Sequence, residues 1–264
     1  MKKISFIPLI ILMFLPHVSA TETKECTNGY IIKFRPGFEQ DAEYIEKSIN
    51  NALACFEKAF KEWTPTEKIR NANLEVILHP EANFLAGPGR TEIHTETKDG
   101  VYHARLHLFP PSLITPGHRT SMNEPMGKDY YDRLMIHELF SIIADKVTRN
   151  KESGWHIYEA PDWFVQGLEQ YVALSISDSE ETLRKYIIRT KKNETISQTD
   201  SGLAVSNPYT CGTALLAYLC RNGNNTIKQL LMSNDPSFEE AIQRHTGMNT
   251  KVFLTKFNEW IDKQ

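Results

Sequence analysis

The sequence lacks any run of basic residues and any interleaving of basic with aromatic side chains. Lysine and arginine total 30 against 33 aspartates and glutamates, so the net charge is -3. Proteins that bind polyanions carry a dense positive footprint, so nucleic acid is excluded as a partner. A long hydrophobic run is also missing. The one apolar stretch, residues 4–15, is too short, and too interrupted by Pro8 and Pro16, to make a good membrane span. There is no internal repeat and no low-complexity tract. Cysteine is scarce, with four residues whose spacing fits no metal knuckle. What remains is ordinary globular composition, 41% hydrophobic and 24% charged, enough for one large domain or two small ones with a covered core.

The N-terminus has the pattern of a secretory signal peptide. Lys2 and Lys3 precede the apolar run, and Val18-Ser19-Ala20 supplies small residues for cleavage near Ala20. The mature chain is expected to begin near Thr21 as a soluble, secreted or periplasmic protein with no membrane segment; an uncleaved anchor is the alternative. In an exported chain, Cys26, Cys55, Cys211 and Cys220 suggest two disulfides, with three connectivities open. Cys211–Cys220 is the least compatible pairing if 207–221 is one helix, since nine residues at ~1.5 Å rise separate them by roughly 13 Å. Buried thiols are the alternative. In either state the cysteines read as structural.

Hydrophobic periodicity places a strand at 30–34 and a long helix at 39–63, on which Ala42, Ile45, Ile49, Ala52, Leu53, Phe56, Phe60 and Trp63 recur at three- and four-residue intervals. A strand follows at 74–78, then a loop at 82–90 containing Gly87-Pro88-Gly89. Strands at 91–97 and 101–109 flank the hairpin-like turn Lys98-Asp99-Gly100. The second strand puts Tyr102, Ala104, Leu106 and Leu108 on one face and Val101, His103, Arg105, His107 and Phe109 on the other. Beyond the connection 110–128 and a helix at 130–148, everything after Pro161 reads helical: 162–175, 179–191, 207–221, 226–232, 237–245 and 251–262. The expected fold is α+β, with a small N-terminal mixed sheet and helices in residues 21–150 and an all-helical half in 151–264. No linker divides these parts into independent domains.

The helix at 130–148 organises the rest. Leu134, Met135, Ile136, Leu139, Phe140, Ile142, Ile143 and Val147 make it apolar round most of its girth, which belongs inside a domain. Yet His137, Glu138, Ser141 and Asp145 share one face. Such a stripe can line a cleft; the plain alternative is an amphipathic helix whose polar stripe meets water. The next helix opens with Ala160-Pro161-Asp162-Trp163-Phe164-Val165-Gln166-Gly167-Leu168-Glu169-Gln170-Tyr171. Pro161 suits a helix start. Gly167 lies well inside the helix, where it costs about 1 kcal/mol relative to alanine, and this points to close helix-to-helix approach. Gln166, Glu169 and Gln170 share a face.

These two helices resemble the gluzincin metallopeptidases, particularly the peptidase MA-like group. His137-Glu138-Leu139-Phe140-Ser141 is similar to H-E-x-x-H with the last histidine replaced. Residues 161–171 are similar to P-x-W-[FL]-x-E-G-[LF]-A-x-Y, whose glutamate is the family's third zinc ligand. Asn207-Pro208-Tyr209-Thr210-Cys211-Gly212 through Tyr218-Leu219 resembles the family's Y-x-x-G-x-x-x-x-Y-L helix, and Glu239-Glu240-Ala241, Thr246-Gly247 and Phe257-Asn258-Glu259-Trp260 resemble its closing helices. With an opening helix, a strand such as LEVIL and an edge strand such as ARLHLF, the resemblance covers nearly all of the mature chain. It implies a zincin-like fold with a cleft between the sheet-bearing and helical halves, His137 as a metal ligand, Glu138 as general base and Tyr209 as a transition-state tyrosine.

The departures bear on function. Ser141 stands where the second histidine belongs and Gln166 where the ligand glutamate belongs. A hydroxyl and a carboxamide are poor zinc ligands beside imidazole and carboxylate, and catalytic sites use three protein ligands. Without metal, Glu138 has no acidified water to deprotonate. Asp145, Glu169, His103, His107, His118, His156 and Glu159 are the residues available to rebuild a site; for each, a solvated or structural role is the simpler expectation. The expected protein is a pseudoprotease that retains peptide or protein binding in the cleft and needs no cofactor. The rivals are an active zinc-dependent peptidase with non-standard ligands, and a structural or surface-interaction protein with a vestigial cleft. A nucleophilic Ser141 lacks any nucleophile-elbow or oxyanion-hole signature.

Overall fold

The computed structural model describes residues 21–81, 91–115, 117–119, 126, 128–149, 153–177, 180–199, 202–221 and 225–264. Residues 1–20, read from the sequence as a signal peptide, and the loop expected at 82–90 lie outside them. In chain order the elements are β1 (Glu22–Glu25), β2 (Ile31–Phe34), α1 (Glu39–Ala59), α2 (Pro65–Arg70), β3 (Glu75–Leu78), β4 (Glu92–Lys98), β5 (Val101–Leu108), α3 (Lys128–Arg149), α4 (Asp162–Ile176), α5 (Glu180–Asn193), β6 (Ile196–Thr199), β7 (Gly202–Val205), α6 (Pro208–Leu219), α7 (Asn225–Leu231), α8 (Phe238–Thr246) and α9 (Thr250–Ile261). The architecture is α+β, with the main sheet in the N-terminal half and a mostly helical C-terminal half. None of the described helices is long and apolar enough to cross a membrane.

The five-stranded sheet has the order β1-β2-β3-β5-β4. β2, β3 and β5 run parallel, while β1 and β4 pair antiparallel with β2 and β5 at either end. β5 is therefore an interior strand and β4 the edge, which corrects the expected edge position of ARLHLF. The hairpin between them turns through Asp99 and Gly100, both at positive φ, as a tight Asp-Gly turn requires. Alternation along β5 holds as read: Tyr102, Ala104, Leu106 and Leu108 are buried, and His103, Arg105 and His107 lie on the wetter face. The pairings Ile32↔Val76 and Val76↔Leu106 set a fully buried row across the sheet.

The helix expected over 39–63 stops at Ala59 and closes with a 3-10 turn, Lys61–Trp63. Pro65 disfavours helical geometry at the residue before it, and Thr64 adopts a left-handed conformation. The tightened turn stacks Trp63 on Phe60 at 4.7 Å and brings Phe60 within 5.6 Å of Phe140 on α3. The all-helical expectation for the C-terminal half is corrected by the β6–β7 hairpin. Its strands have four residues each, too short for hydrophobic periodicity to reveal. β1 was equally hidden, because its sequence ETKE is charged, as suits an edge strand.

α3, the helix at the centre, packs against both α1 and α4 within one continuous apolar core running from Cys26 to Ile261. α4 and α6 approach most closely at two glycines. A Cβ on Gly167 would lie 2.3 Å from the Gly212 carbonyl carbon, and one on Gly212 would lie 2.0 Å from the Trp163 carbonyl oxygen. No larger residue fits, which accounts for glycine in the middle of both helices. All four cysteines are described, and each stands as a free thiol, the alternative that the sequence left open beside a pair of bridges. Cys211 and Cys220 sit at opposite ends of α6. The Cys211 thiol contacts Ser206 and the Thr195 carbonyl, and burial pushes the Cys220 thiol up to about 12.

Candidate functional site

A cleft of about 320 Å³ opens where the edge of the sheet meets the helices. α3 contributes His137, Glu138 and Ser141, α4 contributes Asp162, Val165, Gln166 and Glu169, and α6 contributes Tyr209. Thr91 and Ile93 come from β4 and its approach, and Tyr158 and Ala160 from the segment before α4. His137, Glu138, Ser141, Gln166 and Tyr209, separated by up to 72 residues in sequence (209 − 137), thus line one space.

Local structure explains each placement. Asn207 caps α6 by accepting from the Thr210 amide at 3.0 Å, and Pro208 occupies the first turn. That fixes Tyr209 at the mouth, its ring stacked with His137 at a centroid distance of 6.1 Å. Tyr158 lies in the 3-10 turn Ile157–Glu159. His156 accepts from the Tyr158 amide, and Glu159 accepts from the His156 amide at 2.8 Å, so the turn is capped reciprocally. Tyr158 and Ser141 both line the cleft. The Gly167–Gly212 crossing brings α4 close enough to α6 for Gln166 and Glu169 to share the cleft with Tyr209.

The electrostatic centre is a buried pair. His137 Nε2 lies 3.3 Å from Glu169 Oε2, with both side chains largely shielded from water. Burial alone would lower the His137 pKa. The hydrogen bond to Glu169, the charges of Glu138 and Glu169 and a bond to Gln170 together outweigh it, so the imidazole is held above its ordinary value. Beside it, burial raises the Glu138 carboxyl, against the opposing effects of His137 and of the Thr91 hydroxyl, which donates to Glu138 Oε1.

Two expectations need correcting, those for Glu169 and Asp145. Glu169 is not a solvated residue on a helix face; it is buried and faces His137. Asp145 is fully buried and does not line the cleft. Tyr102 donates to it, and Arg149 Nε and His156 Nε2 each approach its Oδ1 to 2.7 Å, so it ties β5 and the 3-10 turn to α3. His103 and His107 stand on the outer sheet face, where His107 Nδ1 meets His79 Nε2 at 2.7 Å. His118 accepts from the Thr115 amide in the connection before α3, and Glu159 is spent on the cap. Apart from Glu169, none of these residues lines the cleft with His137. Among the described residues, no three histidine, cysteine, aspartate or glutamate side chains converge as a metal site requires.

Thr91 and Tyr158 line the cleft without having been singled out in the sequence, since neither carries a motif. Glu169 did carry a signal: it occupies the place of the small alanine in the E-G-[LF]-A-x-Y pattern. No protein-family model matches the chain, and no curated protein matches it in sequence.

Proposed function

We propose that the chain is an exported protein of gluzincin-like metallopeptidase fold, in the peptidase MA-like group, that has lost metal chemistry and uses its cleft to bind a peptide or protein segment. The observation that carries this reading is the 3.3 Å approach of Glu169 Oε2 to His137 Nε2. The resemblance assigns that imidazole to zinc. Here a carboxylate, in place of a small alanine, supplies the imidazole's negative partner from within the chain. The other two ligand positions, Ser141 and Gln166, line the same cleft with neutral groups. This donor set does not fit a catalytic zinc, which takes three strong protein ligands and leaves one position open. Glu138 therefore lacks the metal-bound water that a base in its position would act on, while the cleft itself is retained.

A second reading, an active zinc peptidase with Glu169 as a non-standard ligand, draws on the same contact. Two ligands of a tetrahedral zinc at 2.0–2.1 Å stand about 3.3 Å apart. It still needs a third strong ligand. Two measurements separate the readings. Metal analysis after mild dialysis is expected to show no stoichiometric zinc, and one tightly bound zinc per chain would overturn the proposal. A peptide-library digest is expected to show no cleavage; cleavage abolished by Glu138→Gln would establish the active enzyme instead.

A further inference from the structure

The lining of the cleft specifies the charge of what it takes. Three carboxylates, Glu138, Asp162 and Glu169, face it, and His137 is the one basic residue among the described lining residues. Glu169 is paired with His137; Glu138 also feels the His137 charge, but among the described residues it makes no ion pair of its own, so the lining carries more negative than positive groups. Thr91 donates to Glu138 Oε1, and no described residue donates to Oε2. This side chain is only 8% exposed, and it lines the cleft. The carboxylate is largely shielded from water yet borders the cleft, so a donor brought by a guest would gain a charge-assisted hydrogen bond there.

A second feature points the same way. Tyr158 and Tyr209, 49% and 41% exposed, are the exposed aromatic side chains among the described residues, and both line this cleft. Tyrosine faces carry negative quadrupole density and attract ammonium and guanidinium groups. Exposed aromatic rings at the mouth of an anionic cavity suit a cationic guest whose alkyl stem packs on the rings while its charged end goes deeper.

We propose that the cleft receives a positively charged side chain, a lysine ammonium or arginine guanidinium carried on a peptide, which donates to Glu138 Oε2 while Tyr158 and Tyr209 flank its stem. The inference rests on the peptide-binding reading above and names the residue class that the bound peptide must present.

The test uses the full chain and calorimetry in two stages. First, peptides are selected on the protein from an unbiased library. Enrichment of lysine or arginine at one position is expected; binders without such enrichment would overturn the cationic inference and leave peptide binding standing, whereas an absence of any binder would overturn the peptide reading itself. Second, a selected peptide is compared with versions carrying norleucine or glutamate at the enriched position. Norleucine is expected to weaken binding about tenfold or more, and glutamate to weaken it further. Glu138→Gln, close to isosteric, should remove the preference for lysine over norleucine while leaving the melting curve in place, and Tyr209→Leu should weaken lysine binding several-fold. Equal affinity for lysine and norleucine, or a lysine preference intact in Glu138→Gln, would refute the assignment. Cadaverine binding as tightly as the peptide would keep the cation site but refute a peptide as its carrier.

Discussion

Replacing Gly167 with alanine tests the helix crossing on which the cleft depends. The added methyl would lie 2.3 Å from the Gly212 carbonyl carbon, whereas ordinary contact begins at 3.4 Å. About 1.1 Å must therefore be found (3.4 − 2.3), and the obstacle is backbone, which cannot rotate away as a side chain can. Overpacking of this kind costs typically 1–3 kcal/mol. Alanine's advantage over glycine in a helix returns at most about 1 kcal/mol. The net expectation is a loss of about 2 kcal/mol (3 − 1), since a backbone clash lies at the costly end. For a chain of this size each kcal/mol moves the melting temperature by roughly 2–4 °C. Thermal melts followed by circular dichroism should show a fall of about 4–8 °C. Gly117→Ala is the control, because among the described residues a Cβ there meets nothing within 4 Å, and it should change little. Separation of α4 from α6 also shifts Tyr209 away from Glu169, so any peptide affinity should fall along with stability. A Gly167→Ala protein as stable as the parent, or more stable, would refute the packing argument.

Further outcomes follow from the buried charges. Asp145→Ala removes the acceptor for Tyr102 and the partner of Arg149 and His156, and chemical denaturation should register a loss of about 3 kcal/mol; a loss under 1 kcal/mol would make the network dispensable. His79 is held down to about 4, chiefly by burial and then by neighbouring His107, which is itself lowered by burial. For a base with a depressed native pKa, stability is complete above its ordinary value near 6.5 and declines as pH falls from there toward 4. Urea unfolding at pH 7, 5.5 and 4.5 should show that decline, and His79→Gln should flatten it. His137 has the opposite sign: its raised pKa contributes stability that is full below about 6.5 and lost as pH rises through the native value. In an NMR titration of the histidine ring protons, Glu169→Gln should move the His137 midpoint to lower pH, and an unmoved midpoint would count against the pair.

Much of the fold was legible because strong periodicity marks long buried elements. The α3 stripe placed His137, Glu138 and Ser141 on one face, and the alternation along β5 assigned its buried side correctly. Gly167, expensive within a helix, pointed to the close crossing that Gly212 completes. Short elements stayed hidden: β1, β6 and β7 have four residues each, and β1 is charged throughout. Strand order was not readable either, since nothing local in ARLHLF distinguishes an interior strand from an edge. Asp145 and Glu169 were misread because position on a helix face does not say what packs against that face. Asp145 meets Tyr102 from the sheet, and Glu169 meets α3 from across the cleft. Thr91 and Tyr158 reach the site through tertiary structure alone.

The claim beneath the functional reading is that an internal carboxylate and two neutral substitutions have replaced a metal site. Zinc affinity measured by competition with a chromophoric chelator tests it most directly. The parent chain should fail to compete, while the variant combining Ser141→His, Gln166→Glu and Glu169→Ala should bind one zinc per chain. Tight stoichiometric zinc on the parent, or a revertant that gains no affinity although its fold is intact, would contradict the account.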